Sequence, residues 1–380
     1  MNFDYTEEQT MIKDSVARFV RDEYDFDTRR KIIESDEGVS RDFWNTFAEL
    51  GWLSVPFAED YGGFGGNVDD LAAVMEEIGK GIVVEPYAST IVMFGSLMSA
   101  STNEALKEAV IPGIIDGSCM GAFAYMEAQS RFEMSDVATT ATACDGGYVI
   151  KGEKTVVVNG GTAGKFVVTA RTSGDQFDRD GVSLFVVDAG ADGVGVQSYK
   201  MMDGQSAATV TLNDVTVSAD ALLSDAGAGM DLIDQVMPQI LISLCAEALG
   251  IMSTLNTLTV DYSKTRQQFG APIGSFQVLQ HRMVDMFMAC EQTKSMLYRG
   301  LCQAGEDDHA ELVKTAHALK TTVARYGKLI GEEAIQLHGG IGMTDELNIG
   351  HFVKRLMMIN TMFGDGDYHQ KKFNQLSYAA

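Results

Sequence analysis

Apolar positions in the first third of the chain recur every three or four residues. Ile12, Val16, Phe19 and Val20 predict a helix. Thr6-Glu7-Glu8-Gln9, just before them, has the form of a capping box, in which hydroxyl and amide side chains satisfy the free amides of a helix start. Phe43, Trp44, Phe47 and Leu50 make a second helical stripe, stopped by Gly51. The stretch VPFAEDYGGFGG follows no convincing strand and opens no G-x-G-x-x-G unit, so it predicts a glycine turn between helices rather than a phosphate loop.

The pattern changes near Ser118. GGYVIKG, KTVVV, KFVVTART, VSLFVVDAG and ATVTLNDVTV are short, β-branched and bounded by Gly, Asp and Asn. Such strands at close spacing predict an antiparallel barrel or sandwich. After Asp225 the helical period returns. Ile233, Val236, Met237, Ile240, Leu241, Leu244, Leu249, Met252 and Leu255 form a long stripe. Leu279, Met283, Met286, Phe287 and Cys290 mark a second helix, and Leu312, Ala316, Leu319, Val323 and Ile330 a third. Long helices with short polar breaks predict an antiparallel bundle, with its methionines as core filler. Three domains follow: residues 1–117 helical, 118–225 β, and 226–380 a helical bundle, an α+β chain.

The 380 residues are 46% apolar and 22% charged, as in ordinary globular proteins. A net charge of −24 disfavours nucleic acid and anionic membrane as partners. Five widely spaced cysteines without a C-x-x-C argue against a disulfide framework or zinc knuckle. MNFDYTEEQT has no apolar core, so no secretory signal is expected; no apolar run is expected to span a bilayer, and a reducing, cytoplasmic setting follows.

The six histidines do not pair as H-x-x-x-H or H-E-x-x-H, so no metal site is expected, and no G-x-S-x-G elbow is present. Two stretches are richer. In DYSKTRQQFGAPIGSFQ, Arg266 sits where a helix gives way to a turn, and its planar fork suits phosphate oxygens; Gln277 can address an amide or ring edge. A solvated helix end is the plainer alternative. In QLHGGIGMTDE, Gln336 to Gly340 close a helix and let backbone approach something flat or charged; a simple C-cap turn is the alternative.

Taken in order, VPFAEDYGGFGG, YVIKGEKTVVVNGG, FVVTART, TRQQFGAPIGSFQ and QLHGGIGMTDE resemble the acyl-CoA dehydrogenase superfamily over nearly the whole chain. The resemblance implies a helical domain, a β-barrel-like domain and a C-terminal four-helix bundle. It implies FAD, and a homotetramer or an α2β2 heterotetramer with a second acyl-CoA dehydrogenase subunit. It also implies an acyl-CoA substrate, electron-transfer flavoprotein as electron acceptor, and a place in fatty-acid β-oxidation. By resemblance, Arg266, Phe269 and Gln277, with Gln336, Leu337, His338, Gly339 and Gly340, hold the diphosphate and adenosine side of a neighbouring subunit's FAD. Phe123, Tyr125 and Met126 of FAYMEAQSR line the isoalloxazine ring, and Val156 and Val158 flank its N5 edge.

The implied chemistry is α,β-dehydrogenation. A carboxylate takes the α-proton of the thioester while the β-hydrogen passes as hydride to flavin N5. The usual pattern at the base is an aromatic, then glutamate, then Gly-Thr. Here Phe363 is followed by Gly364, and Asp365 comes one place later. An alternative glutamate slot early in the first bundle helix falls near Ile240, with Leu241 in place of the usual arginine; Glu247, about two turns on, reads as structural. Met126, Ala128 and Val156 also depart from the usual flavin segments. EAQSRFE and FGDGDYH resemble the branch containing the small subunit of pimeloyl-CoA dehydrogenase. Two expectations follow: Asp365 is the catalytic base, or the chain is a non-catalytic partner that completes another subunit's FAD site. The direction of the Asp365 carboxylate separates them.

Overall fold

The computed structural model describes residues 5–378; the first four residues of the MNFDYTEEQT start lie outside them. The chain divides into two compact units. One takes in residues up to Arg30, Val68–Val83 and everything from Leu241 onward; the other takes in Lys31–Asn67 and Val84–Ile240.

The first unit is helical. Its Glu7–Asp22 helix begins at Thr6 with both halves of the capping box formed, and buries Val16 and Phe19. The latter part of the Gly229–Thr265 helix packs with Gln277–Ala304, His309–His338, Ile349–Thr361 and Gly366–Tyr378. The third-helix stripe Leu312, Ala316, Leu319, Val323 and Ile330 is buried throughout, as its period requires. In the second-helix stripe Met286 and Cys290 are buried, whereas Phe287 is 59% exposed and lies off the core face. By length and composition the Gly229–Thr265 helix would suffice to cross a membrane, contrary to expectation, but its most apolar window is 83% buried inside the protein. Its period-wide apolarity reflects a central core helix.

The second unit contains the Arg41–Glu49 helix with buried Trp44 and Phe47, and a seven-stranded sheet. VPFAEDYGGFGG forms a tight turn, with the Gly63 amide bonded to Ala58 O and the Gly65 amide to Phe57 O. The strands are β1 Gly121–Ala124, β2 Thr140–Cys144, β3 Gly147–Val158, β4 Lys165–Arg171, β5 Val182–Asp188, β6 Val194–Lys200 and β7 Ser206–Ser218. GGYVIKG and KTVVV are thus one strand, β3, with register shifts after Ile150 and after Lys154. Most pairings are antiparallel, but β4 pairs in parallel with β1 and β2. The long excursion through the β2–β3 hairpin before β4 gives the chain room for that crossover. Strand β6 escapes sequence detection because it is mostly exposed and mixes polar residues with its valines. Ala122, Phe166, Val168, Phe185, Val187 and Val210 are among the residues of the core against the sheet.

Candidate functional site

In the helical unit, two candidate stretches meet. Tyr262, one turn before Arg266, stacks on His338 with ring centroids 4.3 Å apart, and its hydroxyl lies 3.3 Å from the His338 carbonyl. His338 is fixed in turn by Nδ1, 2.8 Å from the Ala334 carbonyl. This contact sets the end of the Gly229–Thr265 helix beside the end of the His309–His338 helix. The sequence offered no reason to single out Tyr262; only the fold reveals its ring contact.

Past Tyr262 the chain turns through a small hairpin, Gln267–Gln268 against Ala271–Pro272. Its tip residues Phe269 and Gly270 both have positive φ, 55° and 82°. That geometry suits Asn-Gly and strains a phenylalanine. The Phe269 side chain is nonetheless 93% exposed, with a ring contact edge-on to Phe276 at 6.1 Å. Arg266 and Gln277 are also exposed, and Arg266 makes no ion pair among the described residues. Gln336, Gly339 and Gly340 are open to solvent, and a Cβ at either glycine would meet nothing within 4 Å. Gly339, at φ 68° and ψ −144°, needs glycine. Leu337 and His338 point inward, so any part they take in binding runs through backbone.

In the sheet unit, the second set converges. Phe123 and Tyr125 lie with ring centroids 4.9 Å apart at the end of β1. The Thr155 amide donates to the Met126 carbonyl at 2.8 Å, which joins the segment after β1 to β3. There Thr155 and Val156 together oppose one residue of β7, a β-bulge, and Val156 has φ 50°. The Val156 amide donates to the Tyr199 hydroxyl at 3.0 Å. Val158 is half-buried at the strand end. Behind this corner sits an ion pair that sequence reading missed, Glu127 with Lys154 at 2.6 Å, because nothing local links residues 27 apart.

Asp365 lies elsewhere in the helical unit. Its Oδ1 accepts from the Tyr368 amide at 2.9 Å, so the carboxylate caps the Gly366–Tyr378 helix. The turn before it is held by Lys320, fully buried, whose Nζ is 3.0 Å from each of the carbonyls of Asn360, Met362 and Gly364. Along the His309–His338 helix, Lys320 and His338 are 18 residues apart, about 27 Å at 1.5 Å per residue. Lys320, which holds the Asp365 turn, and the glycine pair therefore lie well apart along one helix, the glycine pair at its C-terminal end. Gly364 has φ 124°, and a Cβ there would overlap the Tyr368 ring and lie 2.9 Å from His369 Nε2. His369 and His317 face each other with their Nδ1 atoms 2.8 Å apart. Burial, with Lys372 nearby, pushes His317 down to about 4; burial, then Lys320 and His317, push His369 down to about 2. Glu247 is engaged by Arg355 at 2.6 and 2.9 Å, both side chains buried. Ile240 and Leu241 are also buried.

Three family models match the chain: acyl-CoA dehydrogenase N-terminal domain over residues 6–118, middle domain over 122–215 and C-terminal domain over 227–373. This chain belongs to the acyl-CoA dehydrogenase family. Probable acyl-CoA dehydrogenase YngJ of Bacillus subtilis is 28% identical over 359 residues, covering 93% of each chain. The short-chain specific acyl-CoA dehydrogenase of Clostridium acetobutylicum is 26% identical over 366 residues, again 93% of each. The solved FAD complex of PigA superposes with a TM-score of 0.91 at 26% identity over the full length of both chains.

Acyl-CoA dehydrogenases are FAD-dependent oxidoreductases, and the donor set here fits that cofactor. An unengaged guanidinium and exposed amides suit a diphosphate, and the open glycine pair admits a flat or charged group against bare backbone. In the sheet unit, paired aromatics and a bulge beside Met126 suit an aromatic ring system. At Gly364, the position where the resemblance leads one to expect a glutamate, the space a side chain would enter is already filled.

Proposed function

We propose that this chain is a cytoplasmic, FAD-binding subunit of an acyl-CoA dehydrogenase that performs α,β-dehydrogenation of an acyl-CoA thioester. Arg266, Phe269, Gln277 and the Gln336–Gly340 turn address the diphosphate and adenosine side. Phe123, Tyr125 and Met126 line the ring, partly through backbone groups, and Val156 and Val158 flank its N5 edge. The bound flavin supplies the hydride acceptor. The observation that carries this reading is the Tyr262–His338 stack, which assembles the Arg266 hairpin and the glycine pair into one donor set. The roughly 27 Å of helix between Lys320, which holds the Asp365 turn, and His338 supports assembly with a second subunit, each turn serving a flavin shared between chains. Electron-transfer flavoprotein is the expected acceptor of the reducing equivalents.

The capping bond from Tyr368 to Asp365 favours a division of labour in which a partner subunit provides the α-proton acceptor. A carboxylate committed to its own helix start is oriented for structure, and Gly364 offers no substitute. In the second reading, Asp365 uses its other oxygen as the base.

The test purifies the chain alone and with candidate partner subunits, counts FAD per chain and follows flavin bleaching by a panel of acyl-CoAs. The expected result is bleaching only in a mixed assembly, unchanged by Asp365→Asn. Bleaching by the chain alone that Asp365→Asn abolishes would establish the second reading. Failure of every assembly to bind FAD would sink both.

A further inference from the structure

The corner formed by Tyr125–Met126 and Thr155–Val156 has a buried electrostatic support. Glu127 follows Met126 directly and is 4% exposed. Its carboxylate accepts from Lys154 Nζ at 2.6 Å, Gln129 Nε2 at 2.9 Å, and the amides of Ala138 at 2.9 Å and Thr139 at 3.1 Å. Burial alone would push the Glu127 carboxyl up; Lys154 and these donors hold it down at about 2. Lys154, fully buried, also donates to Thr169 Oγ1 at 2.8 Å and is the residue immediately before the bulge.

Two bonds thus join the same two segments: the Glu127–Lys154 ion pair behind, and the Thr155 amide to the Met126 carbonyl in front. A buried ion pair is a poor source of net stability, because desolvation offsets most of its attraction, and apolar replacement of both partners is often neutral. Its geometric effect is large, since it ties the irregular segment after β1 to β3 at the residue just before the bulge, beside the Thr155–Met126 backbone bond.

We propose that Glu127 and Lys154 are positioning residues that set the flavin-facing corner of this chain. The proposal rests on the FAD-binding reading above. Displacing the corner alters how the ring is held without removing any group that touches it. The side chains act through Met126, Thr155 and Val156.

The experiment uses the full-length chain in its flavin-binding assembly, with Lys154→Met, Glu127→Gln, the double variant Glu127→Leu with Lys154→Met, and Lys154→Arg. The single variants, each leaving a buried group unpaired, are expected to lose fold stability as well as FAD. The double variant is the decisive one. It should regain part of the melting temperature lost in the single variants, since no charge is left unpaired while the Ala138 and Thr139 amides still lack their acceptor, yet bind FAD at least tenfold more weakly and show altered flavin absorbance fine structure. Lys154→Arg should restore part of both readouts. A double variant with wild-type FAD affinity and spectrum overturns the proposal and leaves the pair a purely structural one. Amide exchange is measured on the same proteins without added FAD. The Thr155 amide should exchange faster in the double variant while the rest of β3 keeps its protection. Unchanged protection there overturns the proposal even where the wild-type assembly holds no FAD, an outcome that by itself would defeat only the functional reading.

Discussion

Lys320 donates to the carbonyl of Gly364 at 3.0 Å, and the same ammonium holds the carbonyls of Asn360 and Met362 at equal distance. Three donors meet three acceptors, the Met362 and Gly364 bonds buried and the Asn360 bond partly so, and the turn carrying Phe363, Gly364 and Asp365 takes its shape from that match. Lys320→Met would remove the ammonium from two buried carbonyls and one partly buried one. The expected loss is on the order of 3 kcal/mol or more in urea unfolding, with the Gly366–Tyr378 helix fraying first by amide exchange. Wild-type stability would show that the turn is held by packing alone.

Asp365 can be probed apart from any role in proton transfer. Asp365→Ala removes the cap on Tyr368 and should cost about 1 kcal/mol, whereas Asp365→Asn keeps an acceptor and should cost little. Thermal unfolding of the two variants checks this. Equal losses would mean that the capping bond contributes nothing.

Gly364→Glu, which writes the family's usual residue into its slot, should not create a base. The backbone there has φ 124°, and the new Cβ would collide with Tyr368. A destabilisation of several kcal/mol is expected, with no gain in acyl-CoA-dependent flavin bleaching. A stable variant with new activity would show that Tyr368 and His369 give way.

Arg266→Ala should weaken FAD binding by about 10- to 100-fold, the range for one charge-assisted hydrogen bond of 1.5–3 kcal/mol. The exposed side chain makes no ion pair among the described residues, so the melting temperature without FAD should hold. Equilibrium dialysis and calorimetry on one preparation separate the two effects.

The His317–His369 pair sets an acid limit. Both rings are neutral in the fold, with His317 depressed to about 4 and His369 to about 2, against 6.5 for the free side chain. Below pH 6.5 the unfolded chain takes up protons that the native pair refuses. Stability present above pH 6.5 is therefore lost as pH falls from 6.5 through 4, at about 1.4 kcal/mol per pH unit for each histidine. Denaturant midpoints at pH 7.5, 6 and 5 should fall accordingly, and His317→Gln with His369→Gln should flatten the slope.

Periodicity alone determined much of this protein. The capping box at Thr6, the buried stripe from Leu312 to Ile330 and the β-branched run of the middle segment need only local sequence, because a helix face or strand face is set by residues close in the chain. The Arg266 and Gly339 stretches were legible for the same reason: turns and exposed charge are written locally. Tertiary structure decided the rest. It placed Tyr262 on His338, Lys154 on Glu127, Lys320 under Gly364 and His317 against His369, and it turned the Asp365 carboxylate onto its own helix. Most of these pairs join side chains tens of residues apart, and the direction of one carboxylate depends on where a turn is held. No spacing along the chain encodes either, since burial and close packing become known only once the elements are assembled.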